Sequence, residues 1–262
     1  MTGHDSSTVR TTVAQLDPVL GDVDANRAAV ESTLSRARSQ DSDLVVFPEL
    51  FLTGYHIGDD PERLTDEAIR AVEDVRTLTD DLVVVLGTPT RGASGERYNS
   101  AVVLQDGETV GTYHKTHLYG GEPELFRPGD RFPTVETTVG TLGVGICYDV
   151  EFPEVARHLA LNGADLLVTI SANMRPCVRD QELYHGTRAI ENGRPHVLCN
   201  RVGEEHGVDF FGNSGIVDHR GRRVLALGAD REETSAASVE LDPDRTDAHD
   251  YLGDRRSDLY DL

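Results

Sequence analysis

Three side chains of unlike chemistry each end or follow a strand-like apolar run. Glu49 comes after Leu44-Val45-Val46-Phe47-Pro48, Lys115 after the segment ending Tyr113-His114, and Cys147 after Leu142-Gly143-Val144-Gly145-Ile146. A buried carboxylate can take the proton of a thiol, a thiolate can attack a carbonyl carbon, and an ammonium can stabilise the oxyanion that develops. Each role needs a different side chain, and one of each is present. Lys115 is also the only lysine in a chain with 25 Lys+Arg. Arginine fills every other basic position, so a compact, rotatable ammonium at 115 points to a place where a planar guanidinium will not serve. Singly, a cysteine behind a strand is commonly an inert core residue and a glutamate a loop cap. Together the three complete a reaction set.

Such groups converge only if the strands that carry them open onto one edge. Apolar patterning predicts strands over residues 9–16, 44–47, 82–86, 98–105, 109–114, 134–139, 142–147, 164–171, 196–200, 215–219 and 223–227. Helices are predicted over about 26–38, 62–78, 153–161 and 181–191. Asp106-Gly107 and Arg220-Gly221 sit where hairpins must turn. Strands interleaved with helices, plus hairpins, indicate an α/β protein with mixed sheets, and strand ends are the usual place for a catalytic crevice. No linker, repeat or low-complexity stretch divides residues 1–262, so one domain is expected, with an arm from about 245 to 262. Leu252, Leu259 and Tyr260 in that arm are too sparse among charges to pack alone and are expected to lie across a partner subunit.

Acidic residues number 46, and the formal net charge is -21, spread along the chain. That charge opposes nucleic-acid binding and does not favour an anionic membrane surface. It suits a salt-rich cytoplasm, where screening weakens self-repulsion. Cys147, Cys177 and Cys199 leave one thiol unpaired in any disulfide scheme, and their spacing is not that of a metal site. His114 and His117 read as hydrogen-bonded scaffold beside the lysine, so neither a metal nor a cofactor is expected. The first eight residues are polar and no run reaches bilayer length. A soluble cytoplasmic protein is the expectation.

Longer motifs surround the three reactive residues. Phe47-Pro48-Glu49-Leu50 with Thr53-Gly54-Tyr55, then Tyr113-His114-Lys115-Thr116-His117-Leu118, then Gly145-Ile146-Cys147-Tyr148-Asp149 with Phe152-Pro153-Glu154 resemble, in order and spacing, the three signatures of the nitrilase (carbon-nitrogen hydrolase) superfamily. The resemblance continues through Arg188-Ala189-Ile190-Glu191-Asn192 and Gly212-Asn213-Ser214-Gly215 to Arg255-Arg256-Ser257-Asp258-Leu259-Tyr260. It implies a four-layer αββα sandwich, commonly paired into homodimers. It further implies Glu49 as general base, Lys115 as the oxyanion-stabilising residue and Cys147 as nucleophile. A second active-site glutamate is implied shortly before Phe126-Arg127-Pro128-Gly129; Glu122 and Glu124 both stand there, and counting back favours Glu122. Tyr148, behind the nucleophile, and Asn173, at a strand end, are candidates for lining the pocket. Arg175 or Arg179, in the loop after Asn173, could clamp a substrate carboxylate. Cys147 is expected to be alkylated fastest of the three thiols, because an ammonium and a strand-to-helix turn favour the thiolate.

The implied activity is cysteine-dependent hydrolysis of a non-peptide C–N bond through a thioester, with a small aliphatic amide or an ω-amide as substrate. N-carbamoyl amino-acid hydrolases and nitrilases share the same motif residues, which therefore do not separate these branches. Two other readings stand beside it. A papain-like thiol hydrolase would pair Cys147 with His185 or His196 and tolerate loss of Glu49. A catalytically idle scaffold or binding protein would have no need of an intact Glu49, Lys115 and Cys147.

Overall fold

The computed structural model of the chain describes residues 8–241 and 250–260. The run at 44–47 shows why they fold into layers. Leu44 and Val46 point into one cluster with Val83, Val85, Val144, Ile146, Val168 and Cys199, while Val45 and Phe47 join another with Val30, Leu34, Ala68 and Val72. A strand buried on both faces loses the polar half of its alternation and reads as continuous apolar sequence.

The first half comprises β1 (Thr8–Gln15), α1 (Val23–Ser39), β2 (Leu44–Val46), α2 (Pro61–Arg76), β3 (Val83–Arg91), β4 (Arg97–Gln105) and β5 (Glu108–His114). The second comprises β6 (Thr134–Thr137), β7 (Gly140–Ile146), α3 (Pro153–Leu161), β8 (Leu166–Ser171), α4 (Val178–Asn192) and β9 (His196–Asn200). There follow β10 (Gly203–Glu205), β11 (Val208–Phe210), β12 (Gly215–Val217), β13 (Arg223–Ala226) and β14 (Glu233–Glu240). One six-stranded sheet has the order β14-β1-β2-β3-β4-β5, and the other the order β13-β12-β9-β8-β7-β6. In each, three central strands run parallel (β1-β2-β3 and β7-β8-β9) and antiparallel strands flank them. The sheets bury one cluster between them, α1 and α2 pack outside the first, and α3 and α4 outside the second. The result is the four-layer αββα sandwich.

Local chemistry fixes the helix ends. Asp22 caps α1 by accepting from Ala25 N at 3.0 Å, Pro61 starts α2, and α4 stops at Gly193, whose φ of 59° is left-handed. The strand expected over 142–147 instead ends at Ile146, because Cys147 opens a 3₁₀ turn, Cys147–Glu151. Two features were not legible in the pattern. The hairpin β10–β11 has strands of 3 residues, too short to show alternation. Strand β14 is built of small and polar residues and lies at the sheet edge, antiparallel to β1 along its whole length. Of the expected arm, residues 245–249 and 261–262 lie outside the described residues, while Leu259 and Tyr260 are exposed on this chain. Among the described residues no helix is long and apolar enough to cross a membrane.

Candidate active site

Each reactive residue leaves the end of a strand under a distinct local constraint. The loop carrying Glu49 crosses closely over β3, where Gly87 makes room: a Cβ there would lie 2.1 Å from the Pro48 carbonyl oxygen and 2.7 Å from Glu49 Cα. Leu50, next in the chain, adopts a left-handed φ of 48°. Lys115 prolongs β5, its N–H donating to Asn99 O at 2.8 Å. Cys147 has φ of 48° as well, an uncommon conformation for a residue with a Cβ and one that turns the thiol abruptly off β7. Glu49 and Lys115 thus come from one sheet and Cys147 from the other, and the site straddles the sandwich.

Lys115 is the centre of a buried ion cluster. Its Nζ donates to Glu49 Oε1 and to Glu122 Oε1, each at 2.7 Å, which leaves the third ammonium proton for another acceptor. Glu49 also accepts from Asn99 Nδ2 at 2.7 Å and, across the two sheets, from Ala172 N at 2.8 Å. Glu122 accepts from the Tyr55 hydroxyl and from Tyr119 N, both at 2.9 Å. Of the two glutamates considered before Phe126, Glu122 is the one within reach of Lys115; Glu124 is exposed. Burial alone would lower the Lys115 pKa, but Glu49, the thiol and Glu122 outweigh it and hold the ammonium above its ordinary range. Burial pushes Glu122 up, against the pull of Lys115.

The thiol departs from the sequence expectation. Burial raises the Cys147 pKa and the charge of Glu49 raises it further, outweighing Lys115 and a hydrogen bond with Ser171. Cys147 therefore rests as a neutral thiol. An ammonium shared between two carboxylates cannot supply the bare positive field that a thiolate needs. Attack by this sulfur requires a base, and Glu49 is the carboxylate whose charge acts on it most strongly.

Asp149 was not singled out from the sequence, yet it fastens the nucleophile's turn to the lysine's flanks. Its fully buried carboxylate accepts from Ile146 N at 3.0 Å and from the Tyr113 hydroxyl at 2.8 Å through Oδ2. Through Oδ1 it accepts from the Thr116 hydroxyl at 2.9 Å and His117 N at 3.0 Å, and it contacts His117 Nδ1 at 2.8 Å. Arg188 closes the same turn from α4, donating to the Val150 and Glu151 carbonyls at 2.8 and 3.0 Å. Asn99 and Tyr55, which orient the two glutamates, were likewise missed. Their partners lie far away in sequence, and no local signal marks them.

Other candidates fall into place around this centre. Tyr148 is half-buried, edge-on to Tyr119 at 5.4 Å. Asn173 follows the Ala172 that binds Glu49 and is held by Asn200, whose Oδ1 accepts from Asn173 N at 2.7 Å. The Arg175 guanidinium is engaged by Asp209 at 2.9 Å and Asp230 at 2.5 Å, so a substrate carboxylate would have to displace both. Arg179 is exposed on α4. His185 and His196 are buried and hydrogen-bond each other's backbone carbonyls, with His196 Nε2 also 2.8 Å from Thr169 Oγ1; their ring nitrogens are occupied there. Cys199 packs between the sheets, its Sγ donating to Val46 O at 3.2 Å. A cavity of about 550 Å³ opens beside the cluster, lined by Tyr55, Tyr119, Glu122, Phe126, Met174 and His206 among others.

Comparison with known proteins agrees with this geometry. Residues 10–248 match the family model for carbon-nitrogen hydrolases. A probable nitrilase of Schizosaccharomyces pombe is 34% identical over 94% of this chain and 95% of its own length. An (R)-stereoselective amidase of a Pseudomonas species is 38% identical over 82% of this chain and 80% of its own. The solved structure of an amidase from Nesterenkonia sp. AN1, carrying the acetamide moiety of fluoroacetamide on its active-site cysteine, superposes with a TM-score of 0.85 at 29% identity, covering 98% of this chain and 97% of that one. Family model, relatives and fold coincide over nearly the whole sequence, and the chain belongs to the carbon-nitrogen hydrolase family, within the amidase-like part of the nitrilase superfamily.

Proposed function

We propose that the protein hydrolyses a small-molecule amide, releasing ammonia through a thioester on Cys147. Glu49 takes the thiol proton as Sγ bonds to the amide carbon, and the carbonyl electrons move onto oxygen. The third proton of Lys115 and the N–H of Tyr148 receive that oxyanion. Glu49 then gives its proton to the nitrogen, the C–N bond breaks and ammonia leaves. Water attacks the thioester as Glu49 removes its proton, the C–S bond breaks, and the proton returns to sulfur. Glu122 and Tyr55 hold Lys115 in place throughout, while Tyr148 and Asn173 flank the substrate.

The observation that carries this reading is the Lys115 ammonium, fixed at 2.7 Å from both Glu49 and Glu122 with one proton to spare and coupled by charge to the thiol. A neutral thiol beside a buried carboxylate needs the general-base route and does not suit a histidine-activated one, since His185 and His196 bond elsewhere. Relatives named as amidases favour an amide over an N-carbamoyl amino acid, and the relative named as a probable nitrilase makes nitriles the comparison to include. Ammonia release from amides, N-carbamoyl amino acids and nitriles in molar KCl tests the reading. Amides should be turned over and the Cys147→Ala variant should be inert; no ammonia from any of them would leave only the idle scaffold.

We further propose that two copies associate, with the exposed Leu259 and Tyr260 covered in the pair, and that the charge of -21 makes the pair salt-dependent. Sedimentation from molar KCl to dilute buffer should show dissociation as salt falls. A monomer at every concentration would refute it.

A further inference from the structure

Resting on the amidohydrolase reading, we propose that the substrate carries an apolar group of branched-aliphatic or aromatic size on its carbonyl side and no negative charge, selected by the cavity beside Glu122. That cavity, about 550 Å³, falls within the range of sites that enclose whole small molecules, and an acetamide would leave most of it wet. Its walls include Tyr55, Tyr119, Leu125, Phe126, Met174 and Val208. Such a surface rewards an apolar group that displaces water.

Charge sharpens the selection. The ionisable carboxyl groups of the lining belong to Asp59 and Glu124, both exposed, and to Glu122; among the described residues neither lysine nor arginine lines the cavity. Lys115 shares its charge with Glu49 and Glu122, and the Arg175 guanidinium is engaged by Asp209 and Asp230. A carboxylate on the substrate would therefore lose water, meet acids of its own sign and find no guanidinium fork. This disfavours the ω-amides that end in a carboxylate, and with them the clamp expected of Arg175. The larger groove between α1 and α2, about 940 Å³, is lined by charges of both signs and touches none of Glu49, Lys115, Glu122 and Cys147.

The test compares four primary amides with the wild-type protein in molar KCl, reading kcat/KM from ammonia release. Acetamide is the small reference, 3-phenylpropanamide carries an aromatic group, and 4-methylpentanamide and succinamate are near-isosteres that differ in charge. Burial of the apolar group should give 3-phenylpropanamide a kcat/KM roughly ten- to a hundredfold above acetamide. Succinamate should fall at least about tenfold below 4-methylpentanamide, with the gap widening as KCl is reduced over the range where the fold persists. Val208→Arg, which adds a guanidinium to the wall, should narrow that gap. Succinamate cleaved as well as its isostere, or acetamide preferred to both apolar amides, would overturn the proposal and leave amidohydrolase activity standing. Ammonia from none of the four would refute that activity and this proposal with it.

Discussion

Lys115→Arg probes the ion cluster while preserving its charge. Nζ is fully buried and lies 2.7 Å from a carboxylate oxygen of each of two glutamates. With an effective dielectric constant near 20, each contact contributes about 6 kcal/mol of gross attraction, before the cost of desolvating three ions is subtracted. Deleting the cation, as in Lys115→Met, would leave two facing carboxylates unpaired; breaking a buried pair costs about 3–5 kcal/mol, a large part of a typical total of about 5–15. Arginine avoids that loss, so the variant should fold. Its donors, however, diverge from a planar fork wider than one ammonium, and no Nζ remains at the junction to offer a third proton to the oxyanion. Loss of one such donor costs about 2.7–4 kcal/mol, a fall of roughly a hundred- to a thousandfold in kcat. Ammonia release at saturating amide, with a melting curve on the same preparation, provides the assay. A folded arginine variant with kcat within a few fold of wild type would show that Lys115 does not sit at the reacting carbonyl.

Further expectations follow from the surrounding groups. Asp149→Ala strips the acceptor from buried donors on both sides of the site, and kcat should fall at least about tenfold with KM little changed, while Asp149→Asn, which keeps one acceptor oxygen, should recover part of the loss; steady-state kinetics separates the two terms. Glu49→Gln should abolish turnover yet let Cys147 alkylate at lower pH, since a charge that raises the thiol pKa is gone; an unchanged iodoacetamide pH profile would contradict the electrostatic account. Burial holds His185 down to about 4, against about 6.5 in an unfolded chain, so the unfolded state binds the extra proton and stability should be lost as pH falls from about 6.5 towards 4. Melting temperatures across that window should drop, and His185→Gln should flatten the slope.

The sequence displayed what depends on near neighbours. Strands buried on both faces, such as 44–47, showed as apolar runs, and Pro153 marked the start of α3. Glu49, Lys115 and Cys147 were visible as reactive types at strand ends. Hidden were the distant partners: Asn99, 50 residues from the Glu49 it orients, Asp149, 36 residues from Tyr113, and Gly87, whose missing Cβ lets the Glu49 loop pass. The state of the thiol was misjudged because the sequence shows a neighbouring lysine but not the carboxylates that share its charge or the burial that outweighs it. Arg175 was misjudged for the same reason, since its partners Asp209 and Asp230 lie in later loops.

The central claim, that Cys147 forms a thioester during turnover, is tested most directly by intact-mass spectrometry of protein quenched within the first turnovers of an amide. The account predicts a mass increase equal to the acyl group, mapped by peptide analysis to Cys147, with one ammonia released per adduct and no adduct in Cys147→Ala. Steady ammonia release from Cys147→Ala, or an adduct on Cys177 or Cys199 in its place, would contradict it.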